Sequence, residues 1–148
     1  MDETYLHIKD LHIKFCGYEG EKDVLYIEDL QIQKGEAFGL IGESGTGKTV
    51  LAYAIQGLLQ MPPGKIASGQ IILDGQDLLQ LSQKELRSSI RGHKIAMIFQ
   101  DPMSTLNPVF TVEQQMINVI QRNQGISKKA AYEAALHTHP PLPTQALV

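Results

Sequence analysis

Three features of the sequence predict an α/β fold whose N-terminal end is an antiparallel β layer. Residues 4–33 alternate apolar and polar side chains, the pattern of half-buried strands. Two continuous apolar runs, Ala37-Phe38-Gly39-Leu40-Ile41 and Ile95-Ala96-Met97-Ile98-Phe99, have the composition of parallel strands buried on both faces. Between the first of these runs and a segment of helical periodicity lies Gly42-Glu43-Ser44-Gly45-Thr46-Gly47-Lys48-Thr49, which reads G-x-x-x-x-G-K-[ST].

The elements follow in order. Leu6, Ile8, Leu11, Ile13 and Phe15 define the first strand, and Lys9-Asp10 resets its register, which predicts a bulge. Residues 17–23 are polar and glycine-containing and are expected to be a loop. Alternation resumes from Leu25 to Gln33 and stops at Lys34-Gly35, ahead of the expected strand 37–41. Leu51, Ala54, Ile55, Leu58 and Leu59 predict a helix over 50–60, ended by Met61-Pro62-Pro63-Gly64. Residues 69–73 read as a strand entering a tight turn at Asp74-Gly75. Ser82-Gln83-Lys84-Glu85 is a capping box, and its helix should stop at Gly92. The apolar run 95–99 comes next, with Gln100-Asp101-Pro102 at its C-terminal end, where α/β sheets place ligand-binding groups. Thr111-Val112-Glu113-Gln114 is a second capping box. The helix it opens carries an apolar face of Val112, Met116, Val119 and Ile120 and ends at Gly125. Ser127 caps a last helix to Leu136. Residues 137–148 are proline-rich, lack periodicity, and are expected to be a disordered tail. His137 and His139 do not make a metal site without further ligands.

The residue types of the 42–49 motif follow from phosphate chemistry. Gly42, Gly45 and Gly47 let the backbone curl and bring N–H groups to phosphate oxygens. The next helix directs its positive end at the same anion. Lys48 reaches the β- and γ-phosphates, and the Thr49 hydroxyl suits Mg²⁺. Chance would produce the four fixed positions at fewer than roughly one start in ten thousand. The fold class is therefore a partial P-loop NTPase core. The candidate nucleotide-binding set is Gly42, Glu43, Ser44, Gly45, Thr46, Gly47, Lys48, Thr49 and Val50.

The 148 residues suffice for one ordinary domain, and 43% hydrophobic content is that of a globular chain. A net charge of −3 gives no reason to expect a nucleic-acid partner. The single cysteine, Cys16, excludes an internal disulfide and suits a reducing compartment. The acidic start Met1-Asp2-Glu3-Thr4 is unlike a signal peptide, and no apolar run approaches membrane-spanning length. The expectation is a soluble or peripherally attached protein.

The segment Gly92 to Val109, with Phe99-Gln100 followed by Pro102-Met103-Ser104-Thr105-Leu106-Asn107-Pro108, closely resembles the Q-loop region of ABC transporter ATPase subunits. It looks most like the oligopeptide/dipeptide/nickel importer branch. Gly-Glu-Ser-Gly-x-Gly-Lys at 42–48 and the pattern Ser68-Gly69-Gln70-Ile71, Asp74-Gly75, Asp77-Leu78 are similar to the same branch. The resemblance covers about residues 4–136 and implies one nucleotide-binding domain over 1–136. It implies ATP and Mg²⁺ as cofactors, with Thr49 and Gln100 near the metal and Gln100 as the Q-loop residue that senses the γ-phosphate and the attacking water. It implies that Phe15, or alternatively Tyr18, stacks on adenine. It further implies integral-membrane permease subunits and a second ATPase subunit as partners, with Met103 to Thr111 on the permease-facing surface. The implied location is the cytoplasmic face of a bacterial or archaeal membrane.

The family pattern also includes a Leu-Ser-Gly-Gly-Gln-type signature, a Walker B strand ending in Asp, a catalytic Glu and a switch His. None occurs here, and the likeness breaks off near Leu136. The expectation is a truncated subunit, with a frameshift near codon 137 that other reading frames would expose. Such a chain would bind Mg-ATP weakly, not hydrolyse it, and dissolve poorly because strand edges stay open. The competing readings are a fragment that docks on a permease or partner ATPase without catalysis, and another P-loop enzyme. A GTPase would want Asn-Lys-x-Asp, which is absent. A DNA-repair ABC ATPase is disfavoured by residues 99–109.

Overall fold

The computed structural model describes residues 4–101 and 105–138. The chain divides into two compact units, Met1–Ile95 and Ala96–Val148.

The first unit is built on a four-stranded antiparallel sheet in the order β2-β1-β3-β4. Its strands are β1 (Thr4–Gly17), β2 (Gly20–Gln33), β3 (Gly64–Leu73) and β4 (Gln76–Asp77). Leu6, Ile8, Leu11 and Ile13 of β1 face inward with Ile71 and Leu73 of β3, all buried. Two odd and two even positions share one face because the expected reset is real. Asp10 has a φ of 45°, and the β1–β3 register shifts between Lys9 and His12. Gly69 opposite makes this feasible: a Cβ there would stand 2.4 Å from Leu11 Cα. Asp74 and Gly75, with φ of 50° and 76°, make the expected tight turn into β4.

Against the sheet lie α1 (Lys48–Ile55), a 3₁₀ turn (Leu78–Gln80), α2 (Gln83–Glu85) and the π-helical turn Leu86–Ile90 that continues it. Leu51, Ala54, Leu78, Leu86 and Ile90 complete the core. The capping box at Ser82 and Glu85 forms as expected, and helical structure stops two residues short of Gly92.

The second unit pairs α3 (Val112–Gln124) with α4 (Lys128–Thr138), burying Ile117, Ala131 and Ala135. Thr111 and Gln114 form the second capping box, Gly125 ends α3 in the left-handed conformation, and the Ala130 N–H donates to Ser127 Oγ. The backbone of α4 runs two residues past Leu136. Residues 139–148, most of the expected tail, and the His137 side chain lie outside the described residues, as do Pro102, Met103 and Ser104.

Several expectations are corrected. The 17–23 loop is a hairpin turn, because Gly17 pairs with Gly20 and β2 starts there. The helix expected over 50–60 ends at Ile55. Gly57, at φ 60°, closes it by donating to Ala54 O while Leu58 N–H donates to Tyr53 O, so the backbone turns away before the prolines are reached. Neither apolar run forms a strand: 37–41 belongs to no helix or strand, and of 95–99 only Ile95 joins an isolated bridge, to Arg91. A parallel strand takes its hydrogen bonds wholly from neighbours, and among the described residues no strand pairs with either run. Ile41 is consequently 97% exposed and Ile98 91%. The apolar face expected on α3 is likewise open at Val112 and Val119, since α3 packs on α4 through Ile117.

Candidate nucleotide-binding site

Residues 42–47 form the turn that leads into α1, and two left-handed glycines, Gly45 at φ 86° and Gly47 at φ 91°, curl it. Only glycine adopts these angles cheaply, and such curled backbone is the arrangement in which successive N–H groups converge on an anion. Gly47 is also held from behind. A Cβ on it would meet Leu25 Cδ1 at 3.1 Å and Val24 O at 3.2 Å, so the back of the loop rests on β2.

Lys48 reaches back over its own loop. Its Nζ donates to Gly42 O at 2.7 Å, Glu43 O at 2.5 Å and Thr46 Oγ1 at 3.3 Å. Thr46 Oγ1 in turn donates to Glu43 O at 2.9 Å. The three ammonium hydrogens thus hold a full positive charge over the turn and brace its curvature. Thr46 supplies part of that brace, a role its position in the motif does not announce. A Cβ on Gly42 would stand 3.0 Å from Thr46 Oγ1, so the absence of a side chain there lets the hydroxyl close the ring.

The first turn of α1 strengthens the positive field. Gly47 is its N-cap and makes no side-chain cap hydrogen bond, and no acidic residue lies in the first turn. Thr49 is exposed in that turn and Val50 is half-buried. The Glu43 and Ser44 side chains project from an exposed stretch of the loop. A cavity of about 390 Å³, bounded by Ala54, Gly57, Ile66, Leu78 and Leu86, lies at the other end of α1 and shares no residue with the loop.

The remaining candidates are placed as follows. Phe15 is half-buried against the core, paired with Lys22 and Gly64. Ile13, two residues earlier, pairs with the Leu25 that touches Gly47, so Phe15 lies about 7 Å further along the strand. Tyr18 is fully exposed at the hairpin tip. Gln100 belongs to the second unit and is exposed at a bend after Phe99. Arg91 went unnoticed in the sequence. It donates to Gln56 O at 2.7 Å and Gly57 O at 2.5 Å, at the C-terminus of α1, and to Gln83 Oε1 at 3.0 Å. Burial, and secondarily the charge of Arg87, lowers its pKa from the ordinary value.

Among the described residues no helix is long and apolar enough to cross a membrane, and no group of three or more His, Cys, Asp or Glu side chains is placed to hold a metal ion.

Comparison with known proteins agrees with the loop geometry. The chain is 44% identical over 131 residues to the oligopeptide transport ATP-binding protein OppD of Bacillus subtilis, covering 88% of this chain and 36% of that protein. It is 42% identical over 134 residues to the dipeptide transport ATP-binding protein DppD of the same organism, covering 90% and 40%. It is 43% identical over 136 residues to the probable D,D-dipeptide transport ATP-binding protein DdpD of Escherichia coli, covering 92% and 41%. The chain thus spans about two fifths of the length of these curated relatives. Residues 27–143 match the family model for ABC transporters, a stretch that contains the curled loop, Lys48 and Gln100, and the chain belongs to that family.

Proposed function

We propose that this chain forms the nucleotide-binding part of a subunit that couples ATP to the import of peptides or related solutes through a membrane permease. The observation that carries the reading is the uncapped, acid-free N-terminus of α1 joined to a loop braced by the Lys48 ammonium. Backbone N–H groups of residues 42–50 bind the phosphates, and Lys48 exchanges loop carbonyls for β- and γ-phosphate oxygens. Phe15 offers a ring to the adenine, with Tyr18 as the more exposed alternative at the hairpin tip. The exposed Thr49 hydroxyl beside the phosphate-binding amides suits Mg²⁺, which takes few protein ligands and keeps phosphate oxygens and water. Bound there, the ion would neutralise phosphate charge. Gln100 is the residue to which this reading would assign sensing of the ion and, in a hydrolysing subunit, of the attacking water.

The relatives' names support peptides as the solute class; the reading itself carries permease subunits and a second ATPase subunit as partners, at the cytoplasmic membrane face. The 148 residues hold no run ending in Asp-Glu after Phe99 and no Ser-Gly-Gly segment. As a separate polypeptide they therefore bind Mg-ATP without turnover. Titrating purified protein with ATP, with and without Mg²⁺, tests the reading. Saturable binding that is lost in Lys48→Ala is expected. Equal binding by that variant would remove the site assignment, and turnover that depends on Lys48 would remove the claim of inactivity.

A second reading, a fragment that docks on a permease or partner ATPase without catalysis, is favoured by one feature. An open apolar groove of about 440 Å³ on α3 is lined by Leu106, Val112, Met116, Val119 and Ile120. Co-purification with membrane proteins that persists in Lys48→Ala without nucleotide would favour docking over coupling.

A further inference from the structure

The two left-handed glycines of the 42–49 loop sit in opposite surroundings. A Cβ on Gly45 would meet nothing within 4 Å, so that side of the turn is open. Gly47 is the only buried residue of 42–49, and the space behind it is filled. A Cβ there would stand 3.1 Å from Leu25 Cδ1, 3.2 Å from Val24 O and 3.4 Å from Leu25 Cβ. Two of those three atoms belong to one side chain. Leu25 is itself held in place: it pairs with the fully buried Ile13 across the β1–β2 ladder and packs on the core. All of these residues lie in the first unit.

Gly47 is the joint between loop and helix. It is the N-cap of α1, and its carbonyl accepts from Leu51 N–H at 2.8 Å, which starts the helix. Its φ of 91° sets the angle between its own N–H and that of Lys48. Glycine has the widest choice of φ of any residue, so nothing in Gly47 itself holds this angle. The side chain behind it blocks the conformations that would swing the chain towards β2. The Lys48 bonds to Gly42 O and Glu43 O brace the turn only while the lysine is not on phosphate. Once Lys48 exchanges those carbonyls for phosphate oxygens, as proposed above, the Leu25 contact is still in place.

We infer that Leu25 is a positioning residue for nucleotide binding, the stop behind Gly47 that keeps it left-handed and so aims the first N–H groups of α1 at phosphate, an inference that rests on the nucleotide reading above. The hairpin β1–β2 then does more than complete the sheet. Through Leu25 it fixes where the loop stands. Donors displaced from their places weaken every charge-assisted bond they make to an anion.

Leu30 supplies the matched control. It is half-buried in the same strand, packs on the same core and pairs with Ile8, about 16 Å from Leu25. ATP affinity is measured by calorimetry and stability by urea unfolding, both in the full chain. Leu25→Ala is expected to raise the ATP dissociation constant at least about fivefold, and Leu30→Ala to leave it within about twofold at a comparable loss of stability. Leu25→Val keeps Cβ and removes the Cδ1 nearest Gly47. It should shift the constant in the same direction by a smaller factor, and it covers the case that Leu25→Ala does not fold. Leu25→Met, which restores reach and volume, should return the affinity to within about twofold of the parent. Parent-like affinity in folded Leu25→Ala or Leu25→Val would overturn the inference, as would an equal loss in Leu30→Ala. A parent that binds no ATP would instead overturn the nucleotide reading, and this inference with it.

Discussion

Helices α1 and α3 begin in opposite ways, and the difference is what sets the proposed nucleotide site apart. At α3 the chain satisfies its own helix start. Thr111 accepts from Gln114 N–H, the Gln114 side chain returns to Thr111 N–H, and Glu113 adds a negative charge in the first turn. The π-continued α2 does the same with Ser82 and Glu85. At α1 the N-cap is Gly47, no side chain caps, no acid is present, and a lysine stands at the first position. Left alone, such an end carries four open N–H donors and about half a positive charge. A capped helix has no need of a ligand at that end, whereas this one leaves its donors open, as the proposed nucleotide site requires.

Substitutions can break or sharpen the comparison. The largest effect is expected in the binding of ATP by Lys48→Ala. A charge-assisted contact contributes about 1.5–3 kcal/mol, so affinity should fall at least about tenfold by calorimetry. Thr111→Ala should cost about 1 kcal/mol of stability in urea unfolding and leave ATP affinity unchanged. An affinity loss there would erase the distinction between the two helix starts. Val50→Glu gives α1 the acid it lacks. It should weaken ATP binding by about 0.3–1 kcal/mol, and an unchanged affinity would show that the helix field contributes little.

The smallest effect is one of pH. The Ser82 side-chain hydrogen bond, and then the Ser82 backbone N–H, hold the Glu85 carboxyl below its ordinary value of 4.5. A depressed carboxylate stabilises the fold above that ordinary value and loses the contribution as pH falls through the folded one. Unfolding monitored from pH 6 down to pH 3 should therefore show a loss beginning below about pH 4.5 that is reduced in Ser82→Ala. Asp23, Asp29 and Asp74, each lowered chiefly by a hydrogen bond from His12, His7 and Lys94, add a loss of the same sign in a slightly lower window.

The strands separate what was legible from what was not. In β1 and β3 the alternation of apolar side chains names the buried face, and even the bulge at Asp10 is written in the break of register. Runs 37–41 and 95–99 carry apolar side chains on both faces, so their composition states only that they prefer partners, and it names none. Ile41→Ala should accordingly cost less than about 0.5 kcal/mol, against about 2–5 for the fully buried Ile71→Ala. The end of α1 is not legible in the sequence for another reason. Gly57 was hidden inside an apolar periodicity that continues to Leu59, and only the left-handed geometry shows that it closes the helix.

By itself the sequence determined the curled glycine loop before α1, both capping boxes, the bulge and the Asp74-Gly75 turn, because each is set by residues within a few positions of one another. Tertiary structure alone decided that Gly47 rests on Val24 and Leu25 and that Arg91 grips α1 from 35 residues away. Such contacts join segments distant in the chain. They depend on which faces meet once the core of Ile8, Ile13, Leu51 and Ile71 closes, and no local pattern encodes that.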